Sequence, residues 1–176
     1  RVLVISGPNA GGKTVTLTGL GLCAVMLRAG LPIPAEKGSS LPLFLGVESA
    51  VGDEQDLDKD LSTFSAHLAA LNSIGRTASR GTLILIDELA AGTDPREGAA
   101  LALAVLEDFS SRGARVVVTT HLEELKAVGM TQQGFLNARV GFDSKTFSPA
   151  YRLAFGAPGV SSAIEGARRT GLPDSV

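Results

Sequence analysis

The segment Gly7-Pro8-Asn9-Ala10-Gly11-Gly12-Lys13-Thr14 narrows the fold more than any other in this chain. It follows a short apolar β-branched run, Arg1 to Ser6, which reads as a buried strand. It precedes Lys13 to Ala29, which reads as a helix with Leu17, Leu20, Val25 and Leu27 apolar and Gly30 at its end. The pattern G-x-x-x-x-G-K-[ST] is complete and sits between a strand and a helix, as its chemistry requires. In such a loop backbone N–H groups wrap an anion, and side chains at the glycines would block the approach. The positive end of the following helix points at the same charge. Lys13 is placed to reach the β- and γ-phosphates of a nucleotide, and the Thr14 hydroxyl to bind Mg²⁺.

The rest of the chain alternates in the same way. Pro32 and Pro34 break the chain, and Leu43 to Val51 reads as a second strand. Gly52 to Lys59 is an acidic loop, and Ser62 to about Ala78 a helix with Ser62 or Thr63 as cap. Thr82 to Ile86 is the clearest buried strand; Glu97 to Phe109 is a helix, Ala114 to Thr120 a strand and Leu122 to Val128 a short helix. Asn137 to Phe142 and Tyr151 to Phe155 read as a late antiparallel pair, and Ser161 to Arg169 as a last helix. Strands alternating with helices imply a parallel sheet covered on both faces. Composition agrees: hydrophobic residues make up 44% and charged residues 19%, which excludes disorder. Twenty-one glycines with only 5% aromatics suit an α/β nucleotide-binding core better than a β-sandwich. No uncharged apolar run approaches the ~20 residues a bilayer needs. A net charge of −2 argues against a dedicated nucleic-acid surface. The lone Cys23 cannot form an internal disulfide, which points to a reducing, cytoplasmic setting; on its apolar helix it reads as packing. The 176 residues make one domain, and the two chain ends read as those of a piece cut from a longer, multidomain protein.

A second constellation lies at the end of the clearest strand. Asp87 and Glu88 follow Thr82-Leu83-Ile84-Leu85-Ile86, at the carboxyl end of the sheet, where open α/β folds bind ligands. Asp87 would hold Mg²⁺ through its water shell, and Glu88 would polarise an attacking water. A helix-capping Asp and a solvated Glu are the plainer alternative. The adjacent Glu favours hydrolysis over phosphoryl transfer to an acceptor.

These residues resemble the ABC-type ATPases. That family orders a phosphate loop, a Gln loop, a signature helix, an Asp-Glu strand, an Asp-bearing turn and a switch His. This chain offers Gln55, Leu61-Ser62-Thr63-Phe64-Ser65, Asp87-Glu88, Gly92-Thr93-Asp94-Pro95 and Thr119-Thr120-His121 in that order. Gly-Pro-Asn before Gly-Gly-Lys-Thr, and Ser62-Thr63-Phe64 at the signature, are similar to the MutS branch. Gly52-Asp53-Glu54-Gln55, Asp87-Glu88-Leu89, Ala91-Gly92-Thr93-Asp94-Pro95 and Glu97-Gly98-Ala99-Ala100 look like its bacterial MutS-two paralogues. The resemblance runs on through Tyr151-Arg152-Leu153 and Gly171-Leu172-Pro173. It departs at Ala90, where glycine is expected, and at Val160, where the family often has arginine.

The resemblance implies a three-layer P-loop NTPase fold of ABC type, with a mostly parallel sheet, late antiparallel strands and a C-terminal helix. It implies Mg²⁺-dependent ATP hydrolysis at a composite site between two copies. Gly7, Pro8, Asn9, Ala10, Gly11, Gly12, Lys13 and Thr14 would hold the nucleotide, with Asn9 against the γ-phosphate or the attacking water. Thr14 and Asp87 would serve the metal, Glu88 the water, and His121 would sense the γ-phosphate in cis. Gln55 would act at Mg²⁺ or water, Ser62 would reach the partner's γ-phosphate in trans, and Asp94 would lie at the interface. The adenine pocket would use residues before Arg1. In the full-length protein the switch would drive a clamp on branched DNA, with recombination control and rescue of stalled ribosomes as its uses and room for a nuclease outside this chain.

Plainer readings stand beside these. His121 could cap the next helix, Ser62 could be only a helix cap, Asp94 could start a turn with Pro95, and Gln55 could be surface. A dimerisation module with little turnover is one rival, and the head of a chromosome-maintenance or double-strand-repair protein another. The second would insert a long coiled coil between phosphate loop and signature, for which Thr14 and Leu61 stand too close.

Overall fold

A computed structural model describes residues 1–51, 60–90, 92–143, 146 and 148–159; the side chains of residues 9 and 60–63 also lie outside that description. Among the described residues are six strands and four helices. In chain order these are β1 (Val2–Ser6), α1 (Lys13–Arg28), β2 (Gly46–Ala50), α2 (Asp60–Thr77), β3 (Thr82–Ile86), α3 (Pro95–Ser111), β4 (Arg115–Thr119), α4 (Glu123–Thr131), β5 (Phe135–Asp143) and β6 (Ser148–Phe155). They form one sheet in the order β2-β3-β4-β1-β5-β6. The first five strands of that order run parallel, and β6 is antiparallel to β5. The sheet is therefore mixed, with the late antiparallel pair at one edge.

Why β1, β3 and β4 lie inside follows from their sequences. VLVIS, TLILI and RVVVT are continuous apolar runs without alternation, and such runs suit strands covered on both faces. One face is covered by α2, α3 and α4, whose Leu71, Ile74, Leu106, Phe109 and Leu125 pack against Val4, Ile84, Ile86, Val116 and Val118. The opposite face is covered by α1, whose Leu17 and Ala24 pack with Ile5, Leu83, Leu85 and Val117. Three layers result. The chain leaves β1 for one face through α1 and leaves the adjacent β4 for the other through α4. A crevice opens at the carboxyl ends of such neighbouring strands. No helix of the described residues is long and apolar enough to cross a membrane.

Several boundaries differ from the sequence expectation. The strand expected over Leu43 to Val51 spans only Gly46–Ala50. Its first apolar residues do not share a face: Phe44 is buried, while Leu43 and Leu45 are 69% and 75% exposed. Helix α3 begins at Pro95, ahead of Glu97, because Asp94 caps it and Pro95 fits the first turn, where no N–H is needed. Strand β5 starts at Phe135 because it also forms a parallel ladder with β1. The acidic loop and the helix expected over Ser161 to Arg169 lie outside the described residues.

Candidate functional site

The crevice begins with the loop that leaves β1. Ser6 is buried, and its Oγ accepts a hydrogen bond from the Gly159 N–H at 2.7 Å, which ties the loop's base to the chain after β6. Gly7 has φ +136° and Gly12 φ +85°, a region that side chains disfavour. Between them Asn9–Gly11 forms one 3-10 turn, closed by the Gly11 N–H donating to the Pro8 carbonyl at 2.9 Å. A Cβ at Gly11 would lie 2.5 Å from Cγ2 of Val140 on β5. One at Gly7 would lie 2.6 Å from the same atom. These glycines were expected to make room for a ligand; they also make room for the protein's own β5.

Helix α1 starts at Lys13, so its first-turn N–H groups open into the crevice. The Lys13 side chain is only 3% exposed and folds back, its Nζ donating to the Gly7 carbonyl at 3.0 Å. Burial lowers its pKa from the 10.5 of a free lysine. The charges of Glu88 and then Asp87 work in the other direction, while Lys126 adds to the lowering. The two acidic residues beyond β3 thus act electrostatically on the lysine beyond β1.

The acidic turn is bound to its neighbours by hydroxyl groups. Thr14 Oγ1 donates to Asp87 Oδ2 at 2.6 Å. Thr119 Oγ1, at the end of β4, donates to Asp87 Oδ1 and accepts the Glu88 N–H at 2.9 Å. Glu88 and Ala90 have φ +48° and +66°, both left-handed and neither glycine. The glycine expected at position 90 is thereby explained: the turn needs a left-handed residue there, and this chain supplies alanine. Leu89 between them is buried in the core facing α3, which anchors the turn.

The other expected site residues divide. His121 is exposed and follows β4, the strand that lies between β1 and β3. The helix-start role falls instead to Thr120, whose Oγ1 accepts the Leu122 N–H at 3.0 Å. Asp94 is exposed and caps α3, its Oδ1 accepting from the N–H groups of Arg96 and Glu97 at 3.0 and 3.1 Å. Ser62 lies in the first turn of α2, but its side chain lies outside the described residues, as do the side chain of Asn9 and all of Gln55. Lys13, Thr14, Asp87 and Glu88 are brought together; Asp94 makes its hydrogen bonds locally.

Three residues have no site role in the sequence reading, although Thr119 and Tyr151 stand in segments that carry the resemblance. Val140 supports the glycine loop from below, and Thr119 joins the acidic pair. Tyr151, with φ +49° and 71% exposed, lies over the loop's rim, where a Cβ on Gly12 would meet its Cε1 at 3.4 Å. Tyr151 is the chain's one tyrosine, a cue in a sequence so poor in aromatics, but its nearness to Gly12 depends on the register of β5 with β6.

Among the described residues, no group of three or more His, Cys, Asp and Glu could hold a metal ion. A divalent cation here would rest on Thr14, Asp87 and oxygens of a bound ligand. Both protein groups are hard oxygen donors, which fits Mg²⁺.

A family model for MutS domain V matches residues 3–176. The protein named Endonuclease MutS2 of Anaeromyxobacter sp. is 60% identical over 173 residues, 98% of this chain and 22% of that relative. Endonuclease MutS2 of Bacillus velezensis is 51% identical over 174 residues, 99% of this chain and 22% of its own length. Endonuclease MutS2 of Clostridioides difficile is 51% identical over all 176 residues, again 22% of that relative. The chain thus spans about a fifth of the length of these curated relatives. It belongs to the MutS family as a domain V, on the side of the MutS2 proteins.

Proposed function

We propose that this domain is a P-loop ATPase of the ABC type that binds ATP with Mg²⁺ and hydrolyses it. The observation that carries the reading is the chain of hydrogen bonds from Thr14 through Asp87 and Thr119 to Glu88, set beside buried Lys13. The loop N–H groups and the first turn of α1 hold the phosphates. Lys13 exchanges the Gly7 carbonyl for β- and γ-phosphate oxygens and neutralises charge as the terminal phosphoryl departs. Thr14 and Asp87 would hold Mg²⁺, which when bound would neutralise phosphate charge. Glu88 orients the attacking water and takes its proton. His121 senses the γ-phosphate. The exposed ring of Tyr151 at the loop's rim offers a flat apolar face to the nucleotide.

A second copy completes the site. Its α2 start, with Ser62, points a helix N-terminus at the charge developing on the γ-phosphate, and Gln55 and Asp94 act at the metal and at the interface. In the longer protein, ATP-driven pairing and release would work a clamp on branched DNA, in recombination control and in the rescue of stalled ribosomes. The relatives are named endonucleases, and such an activity in the longer protein would belong to segments outside this chain.

The test is MgATP turnover per mole of protein across a wide protein concentration range, with Glu88→Gln as control. A specific rate that climbs with concentration, and collapses in Glu88→Gln, is expected. A flat rate abolished by Glu88→Gln would end the composite-site reading. Hydrolysis unchanged by Glu88→Gln, with dimerisation intact, would favour a nucleotide-gated dimerisation module.

A further inference from the structure

The buried strand β4 reads Arg115-Val116-Val117-Val118-Thr119, followed by Thr120. Thr119 has no exposed surface, so its hydroxyl must find partners inside the protein. It finds them in the turn that follows the neighbouring strand β3. Its one proton goes to Asp87 Oδ1, and a lone pair accepts the Glu88 N–H at 2.9 Å. Thr120, equally buried, bonds locally, its Oγ1 accepting the Leu122 N–H two residues on. The two threonines therefore have different tasks, and Val at position 119 would satisfy packing but leave both acidic-turn groups without this partner.

Two consequences follow. Asp87 has one oxygen on Thr14 and the other on Thr119, so its carboxylate is fixed in rotation, with Oδ2 kept on the glycine-loop side. Glu88 is held by its own N–H in a left-handed conformation that a glutamate disfavours. Strand β4 also continues directly into His121.

We infer that Thr119 is a positioning residue for hydrolysis: its single hydroxyl sets both the metal-side carboxylate of Asp87 and the backbone from which Glu88 projects. The inference rests on the ATPase reading above. It gives Thr119 a role that neither a cap nor a packing residue has, because one side chain outside the first contact with substrate orients two groups within it.

The test compares Thr119→Val, which keeps the volume, with Thr119→Ser, which keeps the hydroxyl. Three quantities are read: kcat and KM for ATP, the Mg²⁺ concentration giving half-maximal rate, and hydrogen exchange of the Glu88 amide without nucleotide. Thr119→Val is expected to lower kcat by about 10- to 100-fold and to raise the Mg²⁺ requirement, with KM for ATP little changed. It is also expected to deprotect the Glu88 amide. Thr119→Ser should restore all three. Wild-type kcat and Mg²⁺ dependence in Thr119→Val would overturn the inference, as would equal losses in Val and Ser variants that melt alike. If the wild type itself neither binds nor hydrolyses MgATP, it is the ATPase reading that fails. The placement of Thr119 is then decided by the amide alone: protection lost in Val and kept in Ser supports it, and protection unchanged in Val overturns it.

Discussion

The glycine loop after β1 and the acidic turn after β3 both use left-handed backbone, and they obtain it by opposite means. The loop places glycine at its two positions, Gly7 and Gly12. The turn places Glu88 and Ala90 there, each at an intrinsic cost of about 1–2 kcal/mol. The loop's shape is therefore written into its own residues. The turn's shape is imposed from outside, by Thr119 on the Glu88 N–H and by Leu89 sunk in the core. A conformation that a segment prefers is sensitive to changes within the segment. A conformation that neighbours impose is sensitive to changes in the neighbours. Strained backbone kept in place by its surroundings is a mark of functional sites, and here it coincides with the residue proposed to activate water.

The largest effect is expected in the loop. Gly11 does not need left-handed backbone; it needs space, because a Cβ there would lie 2.5 Å from Val140 Cγ2. Gly11→Ala should cost about 1–3 kcal/mol of stability by overpacking, and should weaken binding of a fluorescent ATP analogue at least about tenfold, since the loop must shift. Val140→Ala in the same protein should recover much of the stability, a coupling that a double-mutant cycle measures directly. Additive losses would mean that β5 is not what dictates glycine at this position.

A smaller effect joins the two regions through charge. Burial lowers the pKa of Lys13 below 10.5, while Glu88 raises it again. The ammonium therefore loses its proton at lower pH than a free lysine does, and nucleotide affinity should fall as pH rises through that lowered value. For the fold the sign is reversed: between the two values the unfolded chain binds more protons, so this group makes the protein more stable as pH rises. Glu88→Gln removes the strongest charge that keeps the proton on Lys13, so its alkaline loss of ATP affinity should begin at lower pH than in wild type. Lys13→Met should be weak and flat over the same range. Affinity titrations over alkaline pH check this, and coincident limbs for wild type and Glu88→Gln would uncouple loop and turn.

The same contrast explains what could be read from the chain. The strands at the centre of the sheet are legible because TLILI and RVVVT carry unbroken apolar runs, Leu83 to Ile86 and Val116 to Val118, a signal held within five residues. That the glycine loop and the Asp87-Glu88 pair come together is legible because each follows an apolar strand of one mostly parallel sheet. Strand β2 was overextended because Leu43, Phe44 and Leu45 are all apolar while only Phe44 turns inward. Asp94 and Pro95 signalled a turn, and the structure uses them as the cap and first residue of α3. Val140 has no local cue to its position at the site, and the cues at Tyr151, the one tyrosine, and at Thr119, two residues before His121, do not say what either touches. Each reaches it through sheet register, Val140 from β5 beside β1, Tyr151 through the β5–β6 pairing and Thr119 from β4 between β1 and β3. Register is a property of two strands, and neither strand's sequence states it alone.

The smallest effect tests the imposed turn itself. Ala90→Gly removes a side chain from a left-handed residue, which by itself should stabilise the fold by about 1–2 kcal/mol. Two losses oppose it. The Ala90 methyl is buried in the core, worth about 0.8 kcal/mol, and glycine adds backbone freedom to the unfolded chain, worth about 0.5–1 kcal/mol. The terms nearly cancel, so thermal unfolding should move by only a degree or two and ATP turnover should hold. The reverse exchange in the loop, Gly12→Ala, carries the opposite signs: φ of +85° strains the new side chain, while its methyl would only reach ordinary contact with the Tyr151 ring at 3.4 Å. If Ala90→Gly instead costs about 2 kcal/mol or more, the methyl's packing outweighs the strain, and Ala90 is chiefly a core residue. If it leaves stability alone but lowers turnover, the alanine's stiffness is part of what holds Glu88 in place, and imposed strain serves the site rather than merely being tolerated by it.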